Sequence, residues 1–170
     1  MRVSSQAAGS SLLTAAPQTA PLSFQVERFA DMMAELPPLI YRHWREIALN
    51  QDAIKLDPDW EKYLALERAG CLFVATVRDG GALQGYWISF VYPHLHYKNS
   101  LQSFYDVYYV DPAHRGGRTA LRFFRFVEAE LKARGVQKLH TMVKLHRNRA
   151  SRLWEKLGYT AVEVVYTKVI

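Results

Sequence analysis

The chain has 170 residues, 49% of them hydrophobic, 22% charged and 13% aromatic, with a formal net charge of +6. That length and composition suit one ordinary globular domain and exclude a chain disordered throughout. The lone cysteine, Cys71, rules out an internal disulfide and fits a reducing, cytoplasmic setting, and no apolar run approaches the roughly 20 residues of a membrane span.

The charge is uneven. Asp111 to Ile170 carries 13 Lys+Arg against 5 Asp+Glu, whereas residues 1 to 110 carry 9 against 11. A basic final third attracts nucleic acid, an acidic membrane or a polyphosphate cofactor, or is a set of solvated helix faces.

In chain order, residues 1 to 22 are rich in Ala, Ser, Pro, Gln and Thr and read as a flexible leader to a single domain over 23–170. The alternation in "SFQVERF" predicts a strand. In "LPPLIYRHWREIA" the paired prolines suit a first helical turn, and Leu39, Ile40, His43, Trp44 and Ile47 fall at helical spacing. "LDPDWEKYLALERAG" predicts a second helix, with Asp57 as cap, Pro58 first and Gly70 as stop. "CLFVATVRD" and "GALQGYWISFVY" flank Asp79, Gly80 and Gly81 and read as a hairpin. After "PHLHYKNS", expected to be a loop, "LQSFYDVYYVD" reads as a strand ending at Pro112. Ala120, Phe123, Phe124, Val127 and Leu131 then mark one face of a helix that Gly135 ends. "VQKLHTMVKL", "NRASRLWEKLG" and "YTAVEVVYTKVI" read as strand, short helix and last strand.

The stretch "VDPAHRGGRTALRFF" joins a strand to a helix through adjacent glycines. Glycine lets the backbone come close to a ligand, and the first helical turn presents unpaired N–H groups that favour an anion. Arg115 and Arg118 flank this bend as charged donors, although an ordinary strand-to-helix turn has the same spacing. Neither a Gly-Lys-Ser/Thr nucleotide loop nor a Gly-x-Gly-x-x-Gly fingerprint is present.

With "ASRLWEKLGY" further on, "YYVDPAHRGGRTA" resembles the GNAT acetyltransferase superfamily, and the predicted order of elements is similar to that fold over about residues 23–170. The variant loop is similar, more narrowly, to small members encoded by bacteriophages. The resemblance implies an α/β fold with a mixed, mostly antiparallel sheet of six to seven strands flanked by about four helices. It also implies that Arg115, Gly116, Gly117, Arg118, Thr119 and Ala120 receive the pyrophosphate of acetyl-CoA, with Tyr109, Val110 and Asn148 as further cofactor contacts. Three positions depart from the family pattern. Arg118 stands at its central glycine, Trp154 replaces a tyrosine that protonates the leaving thiolate, and Arg147 takes the place of an Asn now displaced to Asn148.

The implied reaction is attack of a primary amine on the thioester of acetyl-CoA. An alkyl amine with a pKa of about 10.4 is mostly protonated at neutral pH, so a base must help. Asp106, inside the apolar "FYDVYY", is the candidate base, or else a carboxylate satisfied by a neighbouring Arg or Tyr. A backbone N–H around Val110 is the implied oxyanion donor. Tyr108 and Tyr159 are candidate acids, each also readable as a packing aromatic. His94 and His96 have strand-like metal spacing but no companion ligands, and no metal is expected.

The expected function is therefore an acetyl-CoA-dependent N-acetyltransferase acting on a small molecule, protein or nucleic acid, with a homodimer left open and no membrane partner. The alternative is a catalytically idle module of this fold that binds nucleic acid or protein through its basic C-terminal half.

Overall fold

The computed structural model describes residues 22–145 and 151–170, and the expectations for the leader and for Asn148 lie outside them, apart from Leu22. Its strands are β1 (Ser23–Val26), β2 (Leu72–Asp79), β3 (Ala82–His94), β4 (Tyr97–Val110) and β5 (Lys138–His140). They lie side by side in that order, antiparallel except for the parallel β4–β5 pair. The helices are α1 (Phe29–Met32), α2 (Leu36–Ile47), α3 (Trp60–Arg68), α4 (Thr119–Ala133) and α5 (Ser151–Lys156).

Both faces of the sheet are covered, which is why β2 reads as an unbroken apolar run. Phe73, Ala75, Val77 and Trp87 pack with Phe123, Phe124, Val127 and Leu131 of α4 and Trp154 of α5. Leu72, Val74, Tyr86 and Ile88 pack on the other face with Phe29, Met32, Leu36, Leu39 and Ile40 of α1 and α2. Helix α2 begins at Leu36 with its prolines in the first turn, as the sequence predicts. Gly80 and Gly81 both take positive φ, 54° and 88°, in the β2–β3 turn.

An ion-pair network fixes that hairpin to the helices. Arg78 donates from Nε and Nη2 to Glu27 at 2.7 Å each and from Nη1 to Glu35 at 2.9 Å. Burial pushes the Glu27 carboxyl up, but hydrogen bonds from Arg78, Thr76 and Gln25 together outweigh it and hold the group at about 2. That depression contributes stability above the ordinary value of 4.5 and is lost as pH falls towards 2.

Four expectations need correction. The expected loop "PHLHYKNS" is largely strand, because β3 and β4 continue pairing past the end of β2 as far as His94↔Tyr97; the register shifts at Pro93, which has no N–H to give. The cap of α3 is Asp59, which accepts from the Lys62 N–H at 2.9 Å, rather than Asp57. Strand β5 has only three residues. Residues 159–170 form no strand among the described residues, so the sheet has five strands rather than six or seven. The chain leaves the sheet after His140, so β5 offers an edge of only three residues, and Val162, Val164, Val165 and Tyr166 are exposed.

Gly85 lies in β3 opposite Val110, where a Cβ would stand 2.7 Å from the Tyr109 carbonyl oxygen and 3.1 Å from the Val110 Cα. Gly85→Ala should therefore force β3 and β4 apart and destabilise the fold by about 1–3 kcal/mol. A lowered urea midpoint with an unchanged slope is the expected reading.

Candidate functional site

Strand β4 is paired along most of its length with β3, but with β5 only at Gln102↔Lys138, Ser103↔Leu139 and Phe104↔His140. Beyond Phe104 it runs on to Val110 without β5, leaving a fork whose β4 edge is free of strand pairing among the described residues. A bulge starts one residue past Tyr105: Ile88 pairs with Val107 and Ser89 with Tyr105, so Asp106 is the extra residue. Tyr105 packs on the α4 face and Val107 on the α2 face.

The backbone of this edge has a definite direction. The Asp111 N–H donates to Gln84 O at 2.7 Å and the Tyr109 carbonyl faces Gly85, so both residues turn towards β3. By alternation, the Val110 N–H and carbonyl turn to the free edge. The Val110 carbonyl there accepts from Arg115 Nε at 2.7 Å.

At the end of β4 the chain makes a 3-10 turn over Pro112–His114, capped by Asp111, which accepts from the Ala113 N–H at 3.0 Å. Arg115 is held at its fork: Nη1 and Nη2 donate to the two carboxylate oxygens of Glu46 on α2, at 2.6 and 2.7 Å, and the guanidinium lies 5.2 Å from the Tyr109 ring centroid. Its side chain thus ties the bend to α2. Gly117 takes the positive φ, +61°, while Arg118 has an ordinary φ of −109° and an exposed side chain at the N-cap of α4. An arginine at the family's glycine position therefore introduces no backbone strain. The first helical bond is from the Arg122 N–H to Arg118 O, which leaves the N–H groups of Ala120 and Leu121 without a helical carbonyl to bind.

Asp106 turns to the α2/α3 face, where its Oδ2 accepts a hydrogen bond from the Tyr63 hydroxyl of α3. Burial raises the Asp106 pKa and the Tyr63 hydrogen bond opposes that shift. Tyr63 is itself set by stacking on Phe29, with ring centroids 4.9 Å apart. Tyr108 turns to the opposite face, stacked on Trp87 at 5.8 Å and edge-on to Phe124 and Trp154. Burial pushes its hydroxyl up to about 12. The Trp154 indole draws it slightly the other way, yet Nε1 has no partner in hydrogen-bond geometry, so the contact is electrostatic.

The fork thus brings together Asp106, Tyr108, Val110 and the bend Arg115–Ala120. It does not bring Tyr159, which lies beside Glu128 of α4 and whose pKa is raised first by burial and then by that carboxylate. Tyr109 packs among the helices, stacked on His43 at 5.1 Å. His43 bonds through Nδ1 to the Tyr86 hydroxyl at 2.8 Å, and burial lowers it to about 4, so it is neutral at pH 7. His94 Nδ1 accepts the His96 N–H at 3.1 Å, and among the described residues no three His, Cys, Asp or Glu cluster around a metal position. Sequence reasoning missed Tyr63, Glu46 and Gly85; a glycine isolated within a strand pattern was the one available signal, for Gly85.

The model of the Acetyltransferase (GNAT) family matches residues 37–159. No curated protein matches the chain in sequence. Among solved structures, the chain is similar to a ribosomal-protein-alanine N-acetyltransferase from Brucella melitensis biovar Abortus 2308, with TM-score 0.64 and 19% identity over 88% of this chain and 99% of that one. It is also similar to the aminoglycoside acetyltransferase meta-AAC0020 from an uncultured soil metagenomic sample, in complex with sisomicin, with TM-score 0.69 and 13% identity over 88% and 95% of the two chains. A predicted acetyltransferase with acetyl-CoA from Clostridium acetobutylicum gives TM-score 0.63 and 13% identity over 88% and 96%. Identities this low establish a shared fold.

Tyr63→Phe removes the bond that opposes burial, so the Asp106 carboxyl should titrate higher than in the parent. Carboxyl carbon NMR across the acid range reads this directly. Because the folded carboxyl already titrates above the unfolded one, stability falls as pH rises between the two values, and the variant should lose more. An unmoved Asp106 titration would show that the Tyr63 contact carries no energy.

Proposed function

Since the chain belongs to the GNAT acetyltransferase family, we propose that it is an acetyl-CoA-dependent N-acetyltransferase that transfers an acetyl group to a primary amine. The observation that carries this reading is the fork: β4 continues to Val110 after its ladder with β5 ends at Phe104↔His140, and the amide-rich bend stands at its far end. The residues fit an extended, phosphate-bearing donor. Gly85 gives room at Val110, and the Val110 N–H faces the free edge. The first turn of α4 offers unpaired N–H groups beside the exposed Arg118.

Acetyl-CoA would supply an activated acyl group as its thioester. On the protein side, Asp106 takes the proton of the acceptor amine, and burial suits a carboxyl to that work by raising its pKa. The Val110 N–H donates to the carbonyl oxygen as negative charge develops on it. Tyr108 lies on the same strand, but a hydroxyl held near 12 gives up its proton reluctantly. Trp154 stands where a tyrosine acid would, and a leaving thiol with an ordinary pKa of about 8.5 would not need a dedicated acid there. Arg115 is a positioning residue, since its side chain is engaged by Glu46 and Val110.

Calorimetric titration with acetyl-CoA should saturate, whereas a flat titration to millimolar donor, with a salt-sensitive shift of RNA on a gel, would leave the idle binding module in its place. Asp106→Asn should lower kcat about 100-fold or more with little change in donor affinity. Arg115→Ala should weaken donor binding several-fold by freeing the bend from α2. An unchanged Kd would mean the bend faces something else.

A further inference from the structure

The last residues paired across the fork, Phe104 and His140, stand ring to ring across β4 and β5, with centroids 4.3 Å apart and planes within 8°. Tyr92 of β3 stacks on Phe104 at 5.1 Å and 12°, and His94 lies 6.1 Å from it. Four rings from three strands thus form a comb at the base of the fork. Gln102 is buried and holds the His140 imidazole upright, its Oε1 2.8 Å from His140 Nε2 and its Nε2 donating to Ser100 Oγ at 3.1 Å.

The comb stands on the face of the sheet that Asp106 uses. Phe104 pairs with Phe90, which packs on the α1–α3 side, and Asp106 meets Tyr63 from α3 on that same side. Residues two apart along a regular strand are separated by about 6.5–7 Å, so Phe104 and Asp106, two residues apart in β4, are neighbours on this face. Tyr92 keeps 37% of its surface exposed, and the hairpin beyond it is uncovered as far as Tyr97. Trp60 and Tyr63 of α3, themselves stacked around Phe29, supply further aromatic surface near the carboxylate.

Beside the comb, Lys138 and Glu163 act on His140 with opposite signs, and Asp106 is the only carboxylate of β4. A polycation would need several carboxylates here. Ring faces and edges instead favour another flat π-system, offset-stacked or edge-on.

We propose that the acceptor carries an aromatic or heteroaromatic ring a short linker away from its primary amine, with the ring seated on the Tyr92–Phe104–His140 comb and the amine at Asp106. This rests on the acetyl-transfer reading above, and it makes Tyr92 and Phe104 determinants of specificity.

The test uses the full chain with tryptamine, butylamine and spermidine as probes, followed by saturation-transfer NMR for binding and by mass spectrometry for acetylation. Tryptamine should exceed butylamine in kcat/KM by about tenfold. Phe104→Leu and the more exposed Tyr92→Leu should erase that preference through the KM for tryptamine, with the Kd for acetyl-CoA unchanged by calorimetry. Butylamine or spermidine performing as well as tryptamine, or variants that weaken all amines alike, would overturn the proposal. Saturation transfer to tryptamine that Tyr92→Leu abolishes, without acetylation of any amine, would sink acetyl transfer and leave the ring site standing. Acetylated butylamine with unbound tryptamine would do the reverse.

Discussion

The extra residue at Asp106 is the constraint on which the rest depends. Strand β4 must stay in register with β3 on one side, yet it holds one residue more than β3 between Tyr105 and Val107. A bulge bends its strand and increases the local twist, and the parallel ladder with β5 ends at Phe104, just short of it. The fork follows, and so does the free edge to Val110. The bulge also sorts side chains. Because the side-chain period of a strand is two, unbroken alternation from Tyr105 would put Tyr108 and Val110 on the α2 face and Tyr109 on the α4 face; the extra residue places them the other way round.

An open edge exposes backbone groups that water or another chain would otherwise pair. The Val110 carbonyl is not left open: Arg115 takes it and is in turn gripped by Glu46. Both partners of that ion pair are part-exposed, so its contribution to stability is about 0–1 kcal/mol. Its consequence is geometric. It fixes the bend against α2, so Gly117 can turn and α4 can start in one place, with Arg118 outward and its backbone unstrained.

Much of this was legible wherever a local physical rule decides. The β2–β3 turn follows from Asp79-Gly80-Gly81, the start of α2 from its prolines, and the inward face of α4 from Phe123, Phe124, Val127 and Leu131. The site was half legible: the bend and the odd carboxylate stand out in the sequence, whereas Tyr63 reaches Asp106 from 43 residues away and has no local mark. Glu46 is equally silent, because a charge on the exposed side of an amphipathic helix reads as solvated until the fold brings Arg115 to it. The final segment misled for the opposite reason. Its β-branched residues satisfy every local criterion for a strand, but a strand needs an edge, and β5 is too short to offer one.

The Tyr63 bond bears on how a buried carboxylate could serve as a base on the proposed reading. Burial raises the Asp106 pKa and so favours the protonated form, which cannot accept a further proton. Tyr63 donates to the charged form and pulls the other way, which keeps the carboxylate ionisable while its surroundings remain dry. The bond also assigns the two oxygens. Oδ2 is occupied by the hydroxyl, so the proton of an incoming amine has Oδ1 to go to. The acceptor would then come from the α2/α3 face while α4 packs on the other, and the two substrates would meet through the fork rather than compete for one side of the sheet.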